Sequence, residues 1–257
     1  MTMPVTDSKT RFSTRVENYV RYRPTYPEAV LDLIAREFGF TAQWKVADIG
    51  SGTGISAKLF LEFGNPVFAV EPNREMREAA EKLLGNHPNF HSLEGSAEAT
   101  TLADNAVDLV VAAQAFHWFD PAAARTEFRR ILRPQGVAVL MWNTRKIAGS
   151  PFLEDYEQLL LRFGIDYNKL RHDSVGPEKL REFFDENYHL AKVPNMQNLD
   201  YDGLKGRLLT SSYVPLAGQP GHDEMLDSLK AIFTRHQQSD RVTIEYETEI
   251  YWRRLRR

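Results

Sequence analysis

Two patterns of apolar and polar positions alternate along residues 45–142. Continuous apolar runs such as 107–112 are typical of strands buried on both faces of a parallel sheet, and the intervening segments place apolar residues at helical spacing. We predict strands at 45–49, 67–70, 89–93, 107–112 and 137–142, and helices at 27–38, 53–63, 74–84 and 122–132. This succession predicts a doubly wound α/β sheet with helices on both faces.

The rhythm changes after residue 144. The later pattern predicts helices at 151–163 and 177–186, a strand at about 188–193, helices at 202–210 and 222–237, and a strictly alternating strand at 242–252. Two more strands would complete a mostly parallel, seven-stranded sheet. Because no repeat, linker or low-complexity tract interrupts the chain, we predict a single domain over 1–257 with a small helical cap at 146–187.

Composition narrows the classes of function. Of the 257 residues, 42% are hydrophobic and 26% charged, and the formal net charge of -3 gives no general attraction to polyanions. The chain contains no cysteine, which excludes thiolate metal sites and a cysteine nucleophile. His87 and His91 are separated by Pro88, so we expect no metal site there. Without a recognisable signal peptide or membrane span, we expect a cytoplasmic protein, monomeric or weakly homodimeric.

A glycine-rich turn follows the first predicted strand, and two acidic residues flank it. Gly50, Gly52 and Gly54 stand at every second position, Asp48 precedes them, and Glu71 ends the second strand. An acid at the end of the second strand can accept hydrogen bonds from ribose hydroxyls. The dinucleotide fingerprint, however, is G-x-G-x-x-G, and Asp48 would repel a pyrophosphate. The pattern therefore favours S-adenosylmethionine, a cationic nucleoside without phosphate, over NAD.

Four motifs occur in order along residues 45–145. The run VADIGSGTG resembles motif I of the class I S-adenosylmethionine-dependent methyltransferases, and Glu71 matches their ribose-binding acid. Residues 95–120 resemble their adenine loop and fourth strand, and residues 129–143 resemble the helix and fifth strand that follow. The runs YVRYRPTYP and AFHWFD are most similar to the methyltransferase type 11 branch that includes trans-aconitate-methyltransferase-like proteins. The resemblance implies a Rossmann-like methyltransferase fold.

The resemblance also implies which residues bind S-adenosyl-L-methionine, whose demethylated product is S-adenosyl-L-homocysteine. Residues 45–145 would form the cofactor-binding core, 1–27 an N-terminal arm or lid, and 188–257 the strands and helices that complete the sheet. The implied contacts are Asp48, Gly50 and Gly52 at the methionine end, Gly54 in support of the turn, Glu71 at the ribose, Pro72 and Asn73 beside the adenine, Ser96 and Ala97 at the adenine edge, and Gln114 and Ala115 near the reactive methyl. The family often has aspartate where this chain has Ser96.

Aromatic residues follow the fourth strand, where open α/β sheets bind their ligands. The candidate substrate contacts are Tyr19, Arg23, Phe116, His117, Trp118 and Arg145. His117 could act as a general base, or could be a histidine bonded to the backbone while its aromatic neighbours seal the core. The two arginines and Tyr19 could hold an acidic substrate, or could be ordinary surface residues.

The resemblance implies in-line methyl transfer to an oxygen, nitrogen or carboxylate of a small molecule. One alternative is a nucleic-acid methyltransferase, supported by a basic arm at 11–23 and by the C-terminal arginines. Base-amino methylases usually carry (Asn/Asp/Ser)-Pro-Pro-Tyr after the fourth strand, where this chain has QAFH, and cytosine C5 methylation needs a cysteine. A second alternative is a protein that binds the cofactor without turnover. The glycine spacing disfavours an NAD oxidoreductase.

Overall fold

The computed structural model describes residues 20–165, 167 and 176–255. Its strands are β1 (Val46–Ile49), β2 (Val67–Val70), β3 (Phe90–Leu93), β4 (Val107–Ala113), β5 (Leu132–Arg145), β6 (His189–Leu199) and β7 (Val242–Arg253). Its helices are α1 (Ala29–Phe38), α2 (Ile55–Glu62), α3 (Arg74–Leu84), α4 (Pro121–Ile131), α5 (Pro151–Phe163), α6 (Pro177–Phe184), α7 (Tyr201–Leu209) and α8 (His222–His236). None of these helices has the length and apolar character of a membrane span.

The seven strands form one sheet in the order β3-β2-β1-β4-β5-β7-β6. Strands β1 to β5 are parallel to one another, whereas β7 runs antiparallel to both β5 and β6. The predicted doubly wound, mostly parallel, seven-stranded sheet is therefore confirmed. The carboxyl ends of β1, β2, β4 and β5 meet at one edge of the sheet, which we call the carboxyl edge.

Two strands are longer than their apolar runs predicted. β5 ends at Arg145, opposite Tyr246 of β7, and β6 continues to Leu199, opposite Val242. The added positions include polar residues, so the apolar pattern alone does not mark them. They are strand because β7 supplies backbone hydrogen-bond partners from Ala138 to Arg145 of β5 and along the whole of β6.

The helix boundaries follow local capping chemistry. Asn73 and Asp120 cap α3 and α4, each accepting a hydrogen bond from a backbone amide three residues later at 3.0 Å. α2 begins at Ile55 rather than at the predicted residue 53. The left-handed conformation of Gly54 (φ 85°) explains the delay, because it interrupts the helical backbone.

Buried side chains form three hydrophobic clusters. One lies between the sheet and helices α1 and α2, and a second lies on the opposite face beneath α4 and α6. The third joins α5, α7 and α8 to the first half of β7. We call this third group the C-terminal lobe. Within the segment predicted as one helical cap, 146–187, α5 belongs to the lobe, whereas α6 packs on one face of the sheet. The role of the segment as a cap stays a prediction.

The lobe stands at the carboxyl edge. Pairing between β4 and β5 ends at Ala113 and Met141, whereas β5 continues to Arg145 beside β7. The first half of β7, which carries the lobe, therefore lies beyond the end of β4.

Residues 20–26 cross the same region. The Thr25 carbonyl accepts hydrogen bonds from Asn143 Nδ2 at 3.1 Å and Asn195 Nδ2 at 2.8 Å. These side chains tie the segment to β5 and β6. The remainder of the predicted arm, including Tyr19, lies outside the described residues.

Candidate active site

Three glycines with left-handed backbone form the turn after β1, at φ 68° for Gly50, 56° for Gly52 and 85° for Gly54. A Cβ added to Gly50 would lie 2.7 Å from Ala115 Cβ, and one added to Gly54 would lie 2.5 Å from Leu84 Cδ1. At Gly52 no heavy atom of residues 20–165, 167 or 176–255 lies within 4 Å of an added Cβ. The outer glycines therefore permit close packing, and the middle glycine borders open space in which a ligand can approach the backbone.

Asp48 is the last acidic residue before this turn, and its side chain is fully buried. Its Oδ2 accepts a hydrogen bond from Ser56 Oγ at 2.7 Å, whereas its Oδ1 is buried and has no hydrogen-bond partner among the described residues. Burial raises the pKa of Asp48 to about 7 against the opposing effect of Ser56, and the nearby Glu71 carboxylate raises it further. A buried acceptor without a donor is a position where a bound cation or donor would be stabilised.

Glu71, at the end of β2, holds the glycine turn in place. Its Oε2 accepts a hydrogen bond from the Gly52 amide at 2.8 Å, and its Oε1 accepts one from the Asn73 amide at 2.8 Å. Burial raises the pKa of Glu71, although these two amides and Arg77 partly offset the rise. Each carboxylate oxygen retains a further lone pair for a ligand hydroxyl.

The residues predicted beside the adenine lie in the loops after β2 and β3. Pro72 is half-buried and Asn73 is buried, with the Asn73 side chain committed to the cap of α3. Ser96 forms an isolated β-bridge with Ala99, which shapes the loop around the buried Ala97. The fold therefore brings both loops to the carboxyl edge, while their contacts with adenine stay a prediction.

Gln114 joins β4 and β5 at the same edge. It adopts a left-handed conformation (φ 56°), its amide donates to the Met141 carbonyl at 2.9 Å, and its Oε1 accepts from the Asn143 amide at 2.9 Å. Ala115, which follows, is the residue that Gly50 must accommodate. The end of β4 is therefore held directly against the glycine turn, as the predicted methionine site requires.

The aromatic run after β4 divides between the core and the surface. Phe116 is fully buried, with its ring centroid 4.9 Å from that of Phe183. His117 and Trp118 are exposed on the short 3₁₀ turn Phe116–Trp118, with ring centroids 4.7 Å apart. The structure therefore places Phe116 in the core rather than at a substrate surface, whereas His117 and Trp118 remain accessible.

Arg145 is engaged within the protein. Its guanidinium forms a buried ion pair with Glu157 of α5 and donates to the Tyr167 hydroxyl at 2.7 Å. Arg23 donates a hydrogen bond to the backbone carbonyl that follows α7, at 3.0 Å. Both arginines therefore support the described structure, and neither contact favours the predicted role in holding an acidic substrate. Tyr19 lies outside the described residues.

Two polar residues of this region were not among the predicted contacts. Thr53 lies within the glycine turn, and no residue that the structure describes forms a hydrogen bond with its buried Oγ1. Ser56, in the first turn of α2, supplies the hydrogen bond to Asp48. Thr53 could have been chosen from the motif itself, whereas the partner of Asp48 becomes visible only when strand and helix are placed together. The described residues contain no cluster of three side chains that could hold a metal ion.

Comparisons with known proteins agree with this geometry. Residues 47–140 match the family described as the methyltransferase domain. An uncharacterized methyltransferase of Mycobacterium tuberculosis is 41% identical over 145 residues, which are 56% of this chain and 57% of that protein. This chain therefore aligns with little more than half the length of that relative.

Solved structures share the fold over a larger part of the chain. A chain from Anaeromyxobacter dehalogenans, provisionally named a type II methyltransferase, superposes with TM-score 0.68 at 22% identity, covering 91% of this chain and 99% of that one. A phosphoethanolamine N-methyltransferase from Haemonchus contortus, solved with phosphomonomethylethanolamine and S-adenosylhomocysteine, superposes with TM-score 0.54 at 14% identity, covering 93% of this chain and 56% of that one. Residues 47–140 are therefore similar to the methyltransferase domain family, and the chain shares the Rossmann-like fold of these solved structures.

Proposed function

We propose that this protein is an S-adenosylmethionine-dependent methyltransferase that acts on a small-molecule acceptor. The observation that carries the proposal is the pair of buried acids beside the glycine turn, Asp48 and Glu71. S-adenosylmethionine presents an ammonium group, a sulfonium and two ribose hydroxyls, and carries no phosphate. The partnerless Oδ1 of Asp48 suits the ammonium group, and Glu71 suits the ribose hydroxyls.

The charge of the site disfavours a dinucleotide. Asp48 and Glu71 lie close enough for one carboxylate to raise the pKa of the other. A pyrophosphate on the same turn would add further negative charge to a poorly solvated region, where like charges repel strongly. A cationic nucleoside instead relieves the repulsion between the two acids.

The remaining residues of the turn suit the amino-acid end of this cofactor. Gly52 leaves room for close approach to the backbone, and the partnerless Thr53 hydroxyl can donate to a carboxylate. Gln114 and Ala115, held against the turn by β5, would border the sulfonium.

The cofactor, when bound, supplies a methyl group on a sulfonium that is already an activated leaving group. The chain therefore has to position the acceptor in line with the methyl and exclude competing water, and proximity can provide most of the rate enhancement. His117 and Trp118 are accessible at this edge. Within the proposal His117 is a candidate base, and a carboxylate acceptor would need none.

The C-terminal lobe supports a small acceptor. It stands at the carboxyl edge beyond the end of β4, and residues 20–26 cross the same side. A nucleic acid would have to approach a region that is already covered by protein. The trans-aconitate-methyltransferase-like branch, and with it a carboxylate acceptor, stays part of the proposal.

Calorimetry on the full chain tests the cofactor. We expect binding of S-adenosylmethionine and S-adenosylhomocysteine and none of NAD. Glu71→Gln should weaken both affinities by about 10- to 100-fold, because a charged hydrogen-bond acceptor contributes on the order of 1.5–3 kcal/mol. Glu62→Gln, which neutralises an exposed acid on α2, is the matched control and should bind normally.

Two results would contradict the proposal: preferential binding of NAD, or equal cofactor affinity in the Glu71 and Glu62 variants. Formation of S-adenosylhomocysteine in a screen of small carboxylic acids, phenols and amines separates an enzyme from a protein that only binds the cofactor. His117→Ala, measured in the same assay, distinguishes a base from a residue of the surface turn.

A further inference from the structure

Arg207 of α7 is a buried cation that has no acidic partner in the part of the chain that the structure describes. It is 8% exposed, its Nε donates to the Tyr246 hydroxyl at 3.1 Å, and its Nη1 donates to Thr210 Oγ1 at 3.2 Å and to Ser211 Oγ at 3.5 Å. Among the described residues no carboxylate hydrogen-bonds or ion-pairs with it, and its Nη2 donates no hydrogen bond. A guanidinium stays charged in proteins, so the fold bears the cost of a buried charge that it does not neutralise.

A tyrosine hydroxyl beside Arg207 is also unused. Tyr156 of α5 is 2% exposed, and its hydroxyl forms no hydrogen bond to any residue that the structure describes. Tyr156 and Arg207 lie within electrostatic reach of each other. Burial raises the pKa of Tyr156 well above its usual range, so the hydroxyl remains a proton donor at neutral pH. The Nη2 of Arg207 and the hydroxyl of Tyr156 are therefore two unused donors, and the first of them is charged. We refer to Arg207 and Tyr156, with the neighbouring Arg145 and Tyr246, as the cluster.

The second arginine of this cluster does not supply the missing acid. Arg145 lies over the Tyr156 ring, 5.2 Å from its centroid, and its charge is balanced by Glu157. Among these three charged side chains, one positive charge is left over, and it belongs to Arg207. Tyr246, which holds the Nε of Arg207, completes its own hydrogen bonding by donating to Gln197 Oε1 at 2.8 Å.

The cluster is continuous with the carboxyl edge. Gln114, at the end of β4, accepts from the Asn143 amide, and Arg145 follows two residues later on the same face of β5. Tyr246 lies directly opposite Arg145 on β7 and contacts Arg207. The path from the predicted methyl site to Arg207 therefore runs through three neighbouring elements, β4, β5 and β7.

We propose that Arg207 and Tyr156 bind a carboxylate of the methyl acceptor. A carboxylate matches the guanidinium in shape and hydrogen-bonding geometry, and its single negative charge neutralises Arg207, which has no carboxylate partner among the described residues. A phosphate monoester, with a charge near -2, would replace the uncompensated positive charge of Arg207 with an uncompensated negative charge. This inference rests on the proposed function, because it assigns the acceptor class of the same site.

Matched ligands that differ in one group test the proposal. Benzoate, benzamide and phenyl phosphate share one ring, and butanoate, butanamide and propyl phosphate share one chain. Binding of each is measured by calorimetry on the full chain saturated with S-adenosylhomocysteine. We expect the carboxylate to bind at least about tenfold more tightly than the amide and the phosphate in one trio or both, the scale of one charged hydrogen bond.

Three variants assign the preference to this cluster. Arg207→Gln should abolish it, and Tyr156→Phe, which removes only the hydroxyl, should reduce it several-fold. Tyr201→Phe is the matched control. Tyr201 belongs to the same helix as Arg207, but its hydroxyl donates to the Leu226 carbonyl at 3.5 Å rather than lying beside Arg207. Should Arg207→Gln fail to fold, Tyr156→Phe and Arg207→Lys still test the claim, because the lysine keeps the charge and loses the planar donor pair.

The outcomes are distinguishable. Absence of a carboxylate preference in both trios, a preference for phosphate, or a preference that survives in both Tyr156→Phe and the Arg207 variants would overturn the carboxylate site. Failure to bind S-adenosylhomocysteine at all would instead overturn the proposed function, and it is measured before any acceptor is added.

Discussion

Asp48→Asn should make this protein more stable at neutral and alkaline pH while impairing its cofactor site. The substitution keeps the shape of the side chain and leaves an oxygen that can accept from Ser56 Oγ, now at 2.7 Å. It removes the negative charge from a fully buried position. The expected gain in stability and loss of ligand affinity have one physical cause, the desolvated carboxylate.

The magnitude follows from the pKa of Asp48, which is about 7 in the folded chain against an ordinary value of 3.8. The folded state therefore binds more protons than the unfolded state between these values, and the contribution of Asp48 to stability, complete below pH 3.8, is lost as the pH rises through 7. The full loss is on the order of 4 kcal/mol, of which about 2.5 kcal/mol develops between pH 5 and pH 8. Asp48→Asn should not undergo this loss.

Chemical denaturation of both proteins at pH 5 and pH 8 measures the effect. The difference in the free energy of unfolding between variant and wild type should change by about 2–3 kcal/mol in favour of the variant. Titrating groups that do not interact with Asp48 cancel in this comparison. Glu62→Gln, at an exposed position, should show no such change. If the free energy of unfolding differs between Asp48→Asn and wild type by the same amount at both pH values, Asp48 does not titrate in this range and the prediction is wrong.

Two further predictions concern glycines. Gly206→Ala should displace the Tyr22 ring, whose Cδ2 and Cε2 would clash with the added Cβ, and should make residues 20–26 more susceptible to limited proteolysis. Gly176→Ala, whose added Cβ has no described heavy atom within 4 Å, is the control, and equal cleavage of the two variants would exclude the expected contact. Gly54→Ala should lower the free energy of unfolding by about 1–3 kcal/mol, because it combines a φ of 85° with an approach of 2.5 Å to Leu84 Cδ1; an unchanged denaturation midpoint would contradict this.

Local chemistry explains why the sequence predicts the cofactor side of the molecule well. The strand, the glycine turn and the following helix are contiguous in sequence, and apolar periodicity, capping residues and turn glycines each act over only a few positions. Asp48, Glu71 and the three glycines were therefore recognisable before the fold was known. The ends of β5 and β6 were not, because their strand conformation depends on β7, which follows much later in the chain.

The acceptor side depends on contacts that no local pattern encodes. Arg145 has the charge and the sequence position expected of a substrate-binding residue. Only the placement of α5 shows that Glu157 neutralises it. Arg207 is the opposite case, because nothing in the sequence distinguishes it from any other arginine of a helix. Only the packing of α5, α7 and β7 shows that no described acidic residue pairs with it. Free energy explains the asymmetry. A paired buried charge is part of the fold, whereas an unpaired one lowers stability unless a ligand compensates it, so Arg207 is the better guide to the acceptor.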